Sequence, residues 1–319
     1  MRAKSTKFAT LLFLSLPLAI LTGCSQSAPR ECKLILATDL PLRGAPGAWL
    51  VDASLNGAPA HLLFDTGSFS SVLTPKAVQR LGLYHESWMV GESTGIGGSQ
   101  SLSIVAARDF QLGSLHGKNF RFFSSAMGPR NASWFEDGLL STDFLSKYEV
   151  DLDFGEKRVG LYYPQGDCSG PHAALTPPMY TVPMTTTAKE AVPHVHVTIG
   201  GHDFVAIIDT GAPSTVMFRG AAARLGLRID ALGADDRHHM AAGTGPRPVQ
   251  SVEHVVEAVG IGDITVRNVP VTIVDQDFDD DVDMLLGADF QMRVHLWLSY
   301  PSHSLVMQYP PLPTPATSQ

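Results

Sequence analysis

The chain has 319 residues, enough for two domains that each bury a core, and its 44% hydrophobic and 17% charged content excludes a disordered polymer. Its 29 glycines and 22 prolines imply many turns and short strands, so a β-rich fold is expected. A formal charge of -8 argues against nucleic acid and bare membrane surfaces as ligands, because both would repel it.

The amino terminus begins with Arg2, Lys4 and Lys7 and continues as an apolar run from Phe8 to Leu21. That is the pattern of a secretory signal, too short to read comfortably as a membrane span. Leu21-Thr22-Gly23-Cys24 resembles a bacterial lipobox, which implies cleavage after residue 23 and lipidation of the Cys24 thiol. Ser25 follows where an inner-membrane retention signal would place Asp, so the expected location is the periplasm-facing cell envelope, at the outer membrane. Loss of residues 1–23 removes three cations and no anions and takes the charge from -8 to -11, so membrane contact is expected through acyl chains alone. Residues 24–45 read as a tether. Cys32 and Cys168 remain, and an oxidising compartment permits a disulfide, but their spacing does not decide between a bridge and two separate thiols.

The next elements occur twice. "WLVDASLNGAPAHLLF" alternates apolar and polar residues around Asn56-Gly57, as a hairpin whose second strand runs into Asp65-Thr66-Gly67-Ser68. A short helix is predicted in "TPKAVQRLGL", with Thr74 as N-cap and Pro75 at its first position. A glycine-bearing hairpin, a further strand pair, "LLSTDF" and a closing strand follow. Residues 164–182 have the Pro and Gly content of a linker. Beyond it, "HVHVTIGGHDFVAII" leads into Asp209-Thr210-Gly211-Ala212, then "FRGAAARLGL", "LLGADF" and another closing strand. Five ordered anchors at offsets of 144 to 149 make this a tandem duplication, with copies at 46–163 and 183–309 and a Pro-rich tail at 310–319.

Leu63-Phe64-Asp65-Thr66-Gly67-Ser68 and Ile207-Ile208-Asp209-Thr210-Gly211-Ala212, each with a later Leu-Leu pair, resemble the retropepsin-like aspartic peptidases over nearly the whole mature chain. The resemblance implies a mostly all-β fold of two acid-protease β-barrel domains in a pseudo-two-fold arrangement, with short helices. It also implies that Asp65 and Asp209 face each other as a catalytic pair and that Thr66 and Thr210 bond across the loops. Gly67 and Gly211 would let backbone amides approach the carboxylates. Two carboxylates about 3 Å apart share one proton, which suits them to activate a water against a peptide bond without metal or organic cofactor. The implied partner is a peptide or protein substrate, met by a monomer that pairs its own domains. Ser141 stands where the pattern has Gly, as Gly287 does in the second copy.

By position in the repeat, the flap candidates are Gly95, Ile96, Gly97 and Gly98 in the first copy and Gly243, Thr244 and Gly245 in the second. His194 and His196 share a strand face at a spacing compatible with zinc, but the repeat assigns them to a solvent-facing outer hairpin. The six aspartates from Asp275 to Asp283 lack the Gly and terminal Glu of a calcium loop and read as a solvated acidic loop. Two alternatives stay open: a peptide-binding lipoprotein of the same fold without turnover, and a homodimer that pairs each domain with another chain.

Overall fold

The computed structural model describes residues 31–45, 48–128, 136–166, 168, 175–186, 191–229, 237–278 and 281–309. The signal segment, Cys24 and the tail therefore lie outside the described residues. The first repeat runs β1 (Lys33–Pro41), β2 (Arg43–Ala45), β3 (Ala48–Leu55), β4 (Ala58–Phe64), β5 (Val72–Leu73), α1 (Pro75–Arg80), β6 (Tyr84–Gly95) and β7 (Gly98–Leu112). It continues with β8 (Leu115–Ser124), β9 (Gly138–Leu140), α2 (Thr142–Leu145), β10 (Glu149–Asp153) and β11 (Arg158–Gln165). The second runs β12 (Tyr180–Thr185), β13 (His194–Ile199), β14 (His202–Ile208), β15 (Val216–Phe218), α3 (Arg219–Arg224) and β16 (Arg237–Ala241). It ends with β17 (Val249–Ile261), β18 (Ile264–Val274), β19 (Met284–Leu286), α4 (Ala288–Gln291), β20 (His295–Ser299) and β21 (Ser304–Gln308).

Each repeat folds for the same local reasons. The β3–β4 hairpin turns through Asn56 and Gly57 at φ 53° and 81°, and β13–β14 turns through Gly200 and Gly201 at 56° and 80°. Positive φ at both central residues matches the right-handed twist of the flanking strands. Thr74 caps α1 by accepting from the Ala77 amide, with Pro75 at the first position, as the sequence predicts.

Strand order is β3-β4-β9-β5-β8-β7-β6 in the first repeat and β13-β14-β19-β15-β18-β17-β16 in the second, the same topology twice. Additional pairings of β3 with β7 and of β13 with β17 curl each sheet toward closure. In both, the strand that delivers the Asp-Thr-Gly loop, β4 or β14, pairs in parallel with the short apolar strand β9 or β19. Parallel strands flanked by neighbours are buried on both faces, which is why these segments read as apolar runs.

A six-strand section in the order β1-β11-β10-β20-β21-β12 joins the two repeats. At its centre β10 and β20 are antiparallel, and Asp151 pairs with Trp297. These two residues are 146 positions apart, the repeat offset, so the pseudo-two-fold axis passes through this pair. Val150, Leu152, Leu296 and Leu298 are fully buried beside it. The same two-fold generates the polar seam: Trp297 Nε1 and Ser299 Oγ donate to buried Glu149 at 2.8 and 2.9 Å, while His295 Nε2 lies 2.6 Å from Asp151.

Most of the segment read as a tether is structured. Lys33 to Pro41 pairs along its length with β11, interrupted by one bulge, and Cys32 is disulfide-bonded to Cys168 beside that pairing. The linker likewise ends inside β12, which pairs with β21. Among the described residues no helix is long and apolar enough to cross a membrane.

Candidate active site

Asp65 and Asp209 sit on the loops that leave β4 and β14, and each loop is tied to the parallel strand beside it. The Asp65 amide donates to Leu140 O at 3.0 Å and the Asp209 amide to Leu286 O at 3.1 Å. Each carboxylate then collects two amides of its own turn. Gly67 N and Ser68 N donate to Asp65 Oδ1 at 2.8 and 3.2 Å, and Gly211 N and Ala212 N to Asp209 Oδ1 at 2.9 and 3.1 Å.

The two loops interlock through their threonines. Thr66 Oγ1 donates to Ile208 O at 2.6 Å and accepts from the Thr210 amide at 3.2 Å. Thr210 Oγ1 donates to Phe64 O at 2.6 Å and accepts from the Thr66 amide at 3.0 Å. Both side chains are fully buried, so no water competes for these bonds. Glycine is required at the next position because the carboxyl of the other repeat occupies the space. A Cβ on Gly67 would lie 2.2 Å from Asp209 Cγ, and one on Gly211 2.7 Å from Asp65 Cγ. Each carboxyl therefore sits against the glycine of the opposite loop.

Burial lifts both acids. Asp65 is held well above the usual carboxylate range by loss of hydration and then by the charge of Asp209, and its backbone donors only partly offset this. Asp209 is pushed up to about 6 by burial, against the pull of Gly211 N, Ala212 N and the bond from Asp65.

Beneath each loop lies a carboxylate to which sequence reasoning assigns no role. Ser71 Oγ donates to Asp143 Oδ1 at 2.7 Å, and Thr215 Oγ1 donates to Asp289 Oδ1 at 2.8 Å. Ser71 Oγ also accepts from the Ser141 amide at 2.9 Å, so the brace ties the start of α2 to the Asp65 loop. Its signal was present in the shared "LL(S/G)xDF", whose Asp recurs at the repeat offset. Ser141, the departure from the pattern, is accommodated: its buried hydroxyl lies 2.8 Å from Asp65 O and also reaches Ser68 O. Gly287 has no such room, since a Cβ there would meet Ser214 O at 2.3 Å.

The two glycine-rich tips meet each other. Gly245 N donates to Ile96 O at 2.9 Å, Arg247 N to Gly97 O at 3.3 Å and Gln100 Nε2 to Thr244 O at 2.9 Å. Gln276, from the acidic loop, clasps the first tip by accepting from Gly97 N at 2.9 Å and donating to Gly95 O at 3.2 Å. No sequence signal marked Gln276, which is hidden among aspartates. Two of those aspartates, Asp275 and Asp277, pair instead with Arg219 on α3.

His194 and His196 lie half-buried and exposed on β13, in a surface recess shared with Arg224 and Asp283. Among the described residues no group of three metal-ligating side chains assembles there or elsewhere.

Two Asp-Thr-Gly loops, cross-braced on a pseudo-two-fold axis with each glycine against the other loop's carboxyl, define a protein of the bilobal acid-protease class. The sequence model of the aspartyl protease family matches residues 51–144 and, a second time, residues 195–290, and the chain belongs to that family. The double match coincides with the two repeats. No curated protein matches the chain.

Proposed function

We propose that the protein is an aspartic endopeptidase in which Asp65 and Asp209 jointly activate a water against a peptide bond. The observation that carries this reading is the placing of each carboxyl against the glycine of the opposite Asp-Thr-Gly loop, with the two loops interlocked by their threonines. The ionised member removes a proton from water held between the pair. The protonated member donates to the scissile carbonyl oxygen as charge develops on it. The tetrahedral intermediate then collapses as the proton passes to the leaving amine. Thr66 and Thr210 hold the carboxyls in place, and the two tips close over an extended peptide.

Asp209 supplies the base, so it must be ionised, and its elevated value of about 6 sets the acid limb. Cleavage of a peptide library between pH 4 and 7 tests this. Turnover is expected to fall about tenfold for each pH unit below 6. A rate that continues to climb toward pH 4 would remove the assignment of Asp209 as base.

The cellular setting is part of the proposal. The lipobox-like Leu21 to Cys24 supports an acyl-anchored, periplasm-facing lipoprotein at the outer membrane, with no other membrane contact. Replacement of Cys24 by Ser is expected to move the protein from the membrane pellet to the soluble fraction. Supporting a monomer is the completeness of the site: each half is contributed by a repeat of the same chain.

A further inference from the structure

The two halves of the site are built to the same plan and lined with different chemistry. Beside Asp209, a buried apolar cluster contains Ala212, Val216 and Leu285. Phe69 and Ile96, both from the first repeat, pack onto it together with Ala241 and Val249 from the arms of the second hairpin. The corresponding cluster beside Asp65 contains Leu63, Val72 and Leu139 and, among the described residues, receives no apolar residue from the second repeat.

The repeat offsets show what replaced them. Ser68 and Ser93 stand where the second repeat has Ala212 and Ala241, and Gln100, paired with Ser93, stands where Val249 pairs with Ala241. At the tips the exchange runs across the axis. Ile96 leans from the first repeat onto the apolar half, and its counterpart Thr244 accepts at its backbone oxygen from Gln100 Nε2 and Gly128 N on the serine-bearing half. Three equivalent positions therefore differ in the same sense, each apolar at the Asp209 half and hydroxyl-bearing at the Asp65 half, and at a fourth Gln100 replaces Val249. A preference for one kind of substrate side chain on both sides of the dyad would have no reason to produce this.

We propose that the cleft reads the two sides of the scissile bond differently, taking a bulky apolar residue beside Asp209 and a small or hydroxyl-bearing one beside Asp65. Ile96 and Thr244 are the specificity-determining pair. This rests on the peptidase reading above, and it concerns the substrate class of that same site. Apolar walls reward a methyl-bearing side chain, whereas hydroxyl-bearing walls reward one that can hydrogen-bond to them.

The test is mass-spectrometric cleavage profiling with peptides randomised on both sides of the cut. The parent is expected to select bulky apolar residues on one side only. Ile96→Thr should weaken that selection about tenfold, and Thr244→Val, which swaps a hydroxyl for a methyl of equal size, should raise acceptance of apolar residues on the other side by a similar factor. A parent with equal preferences on both sides, or a profile that neither substitution shifts, overturns the proposal. Anisotropy of labelled peptides on Asp209→Asn supplies a readout that needs no turnover. One-sided affinity there in a protein whose parent does not cleave would defeat the peptidase reading and leave the asymmetry standing, whereas affinity indifferent to side would defeat the asymmetry.

Discussion

Asp209 sits in a place that disfavours its own charge, and this makes stability and activity pull in opposite directions at one residue. Its folded value of about 6 lies above the ordinary 3.8, so its contribution to stability is complete below pH 3.8 and is lost as pH rises through about 6. Asparagine is neutral throughout and can still accept from Gly211 N and Ala212 N. Asp209→Asn is therefore expected to be inactive yet more stable than the parent at pH 7. The gain is at most about 3 kcal/mol, at ~1.36 kcal/mol for each pH unit that separates the two values, and closes toward pH 4. Urea unfolding at the two pH values checks this, and a variant less stable than its parent at pH 7 would refute it. Both catalytic candidates and their threonines and glycines were legible in the sequence because the chain states them twice. The braces at Asp143 and Asp289 were legible as recurring positions but not as bonds, since a recurring Asp does not say which hydroxyl it faces.

At the scale of elements, the hairpin tips show how far a repeat can be read. Position in the repeat located both tips. Their contact with each other and with Gln276 depends on how the two domains are oriented, which no local pattern encodes. Gln276 makes two bonds to the first tip, at Gly95 O and Gly97 N. Removing them with Gln276→Ala is expected to accelerate hydrogen exchange at the Gly97 amide about tenfold, the factor for ~1.4 kcal/mol of lost protection, while amides in β13 and β14 are unaffected. Unchanged exchange at Gly97 would show that the tip-to-tip bonds alone keep the gate shut. Strand β1 escaped the sequence reading for a related reason. It precedes the first repeat anchor, and five of its nine residues are exposed, so its alternation is weak. What orders it is pairing with β11, more than a hundred residues further on.

Taken whole, the molecule is a duplicated domain whose copies are fused through a shared sheet, and the fusion is what completes the site. The Asp151–Trp297 pair on the axis, the buried Glu149 seam and the interlocked threonines all place the repeats in one register. Any slip there would separate the carboxyls. The proposed function requires one chain to supply both members of one proton-sharing pair. The direct measurement is peptide turnover by the parent, by Asp65→Asn, by Asp209→Asn and by an equimolar mixture of the two variants. The parent is expected to cleave, each variant to lose at least about a thousandfold, and the mixture to recover nothing. A variant that cuts at the parent's rate, or a mixture that regains activity by pairing intact halves from different chains, would contradict it.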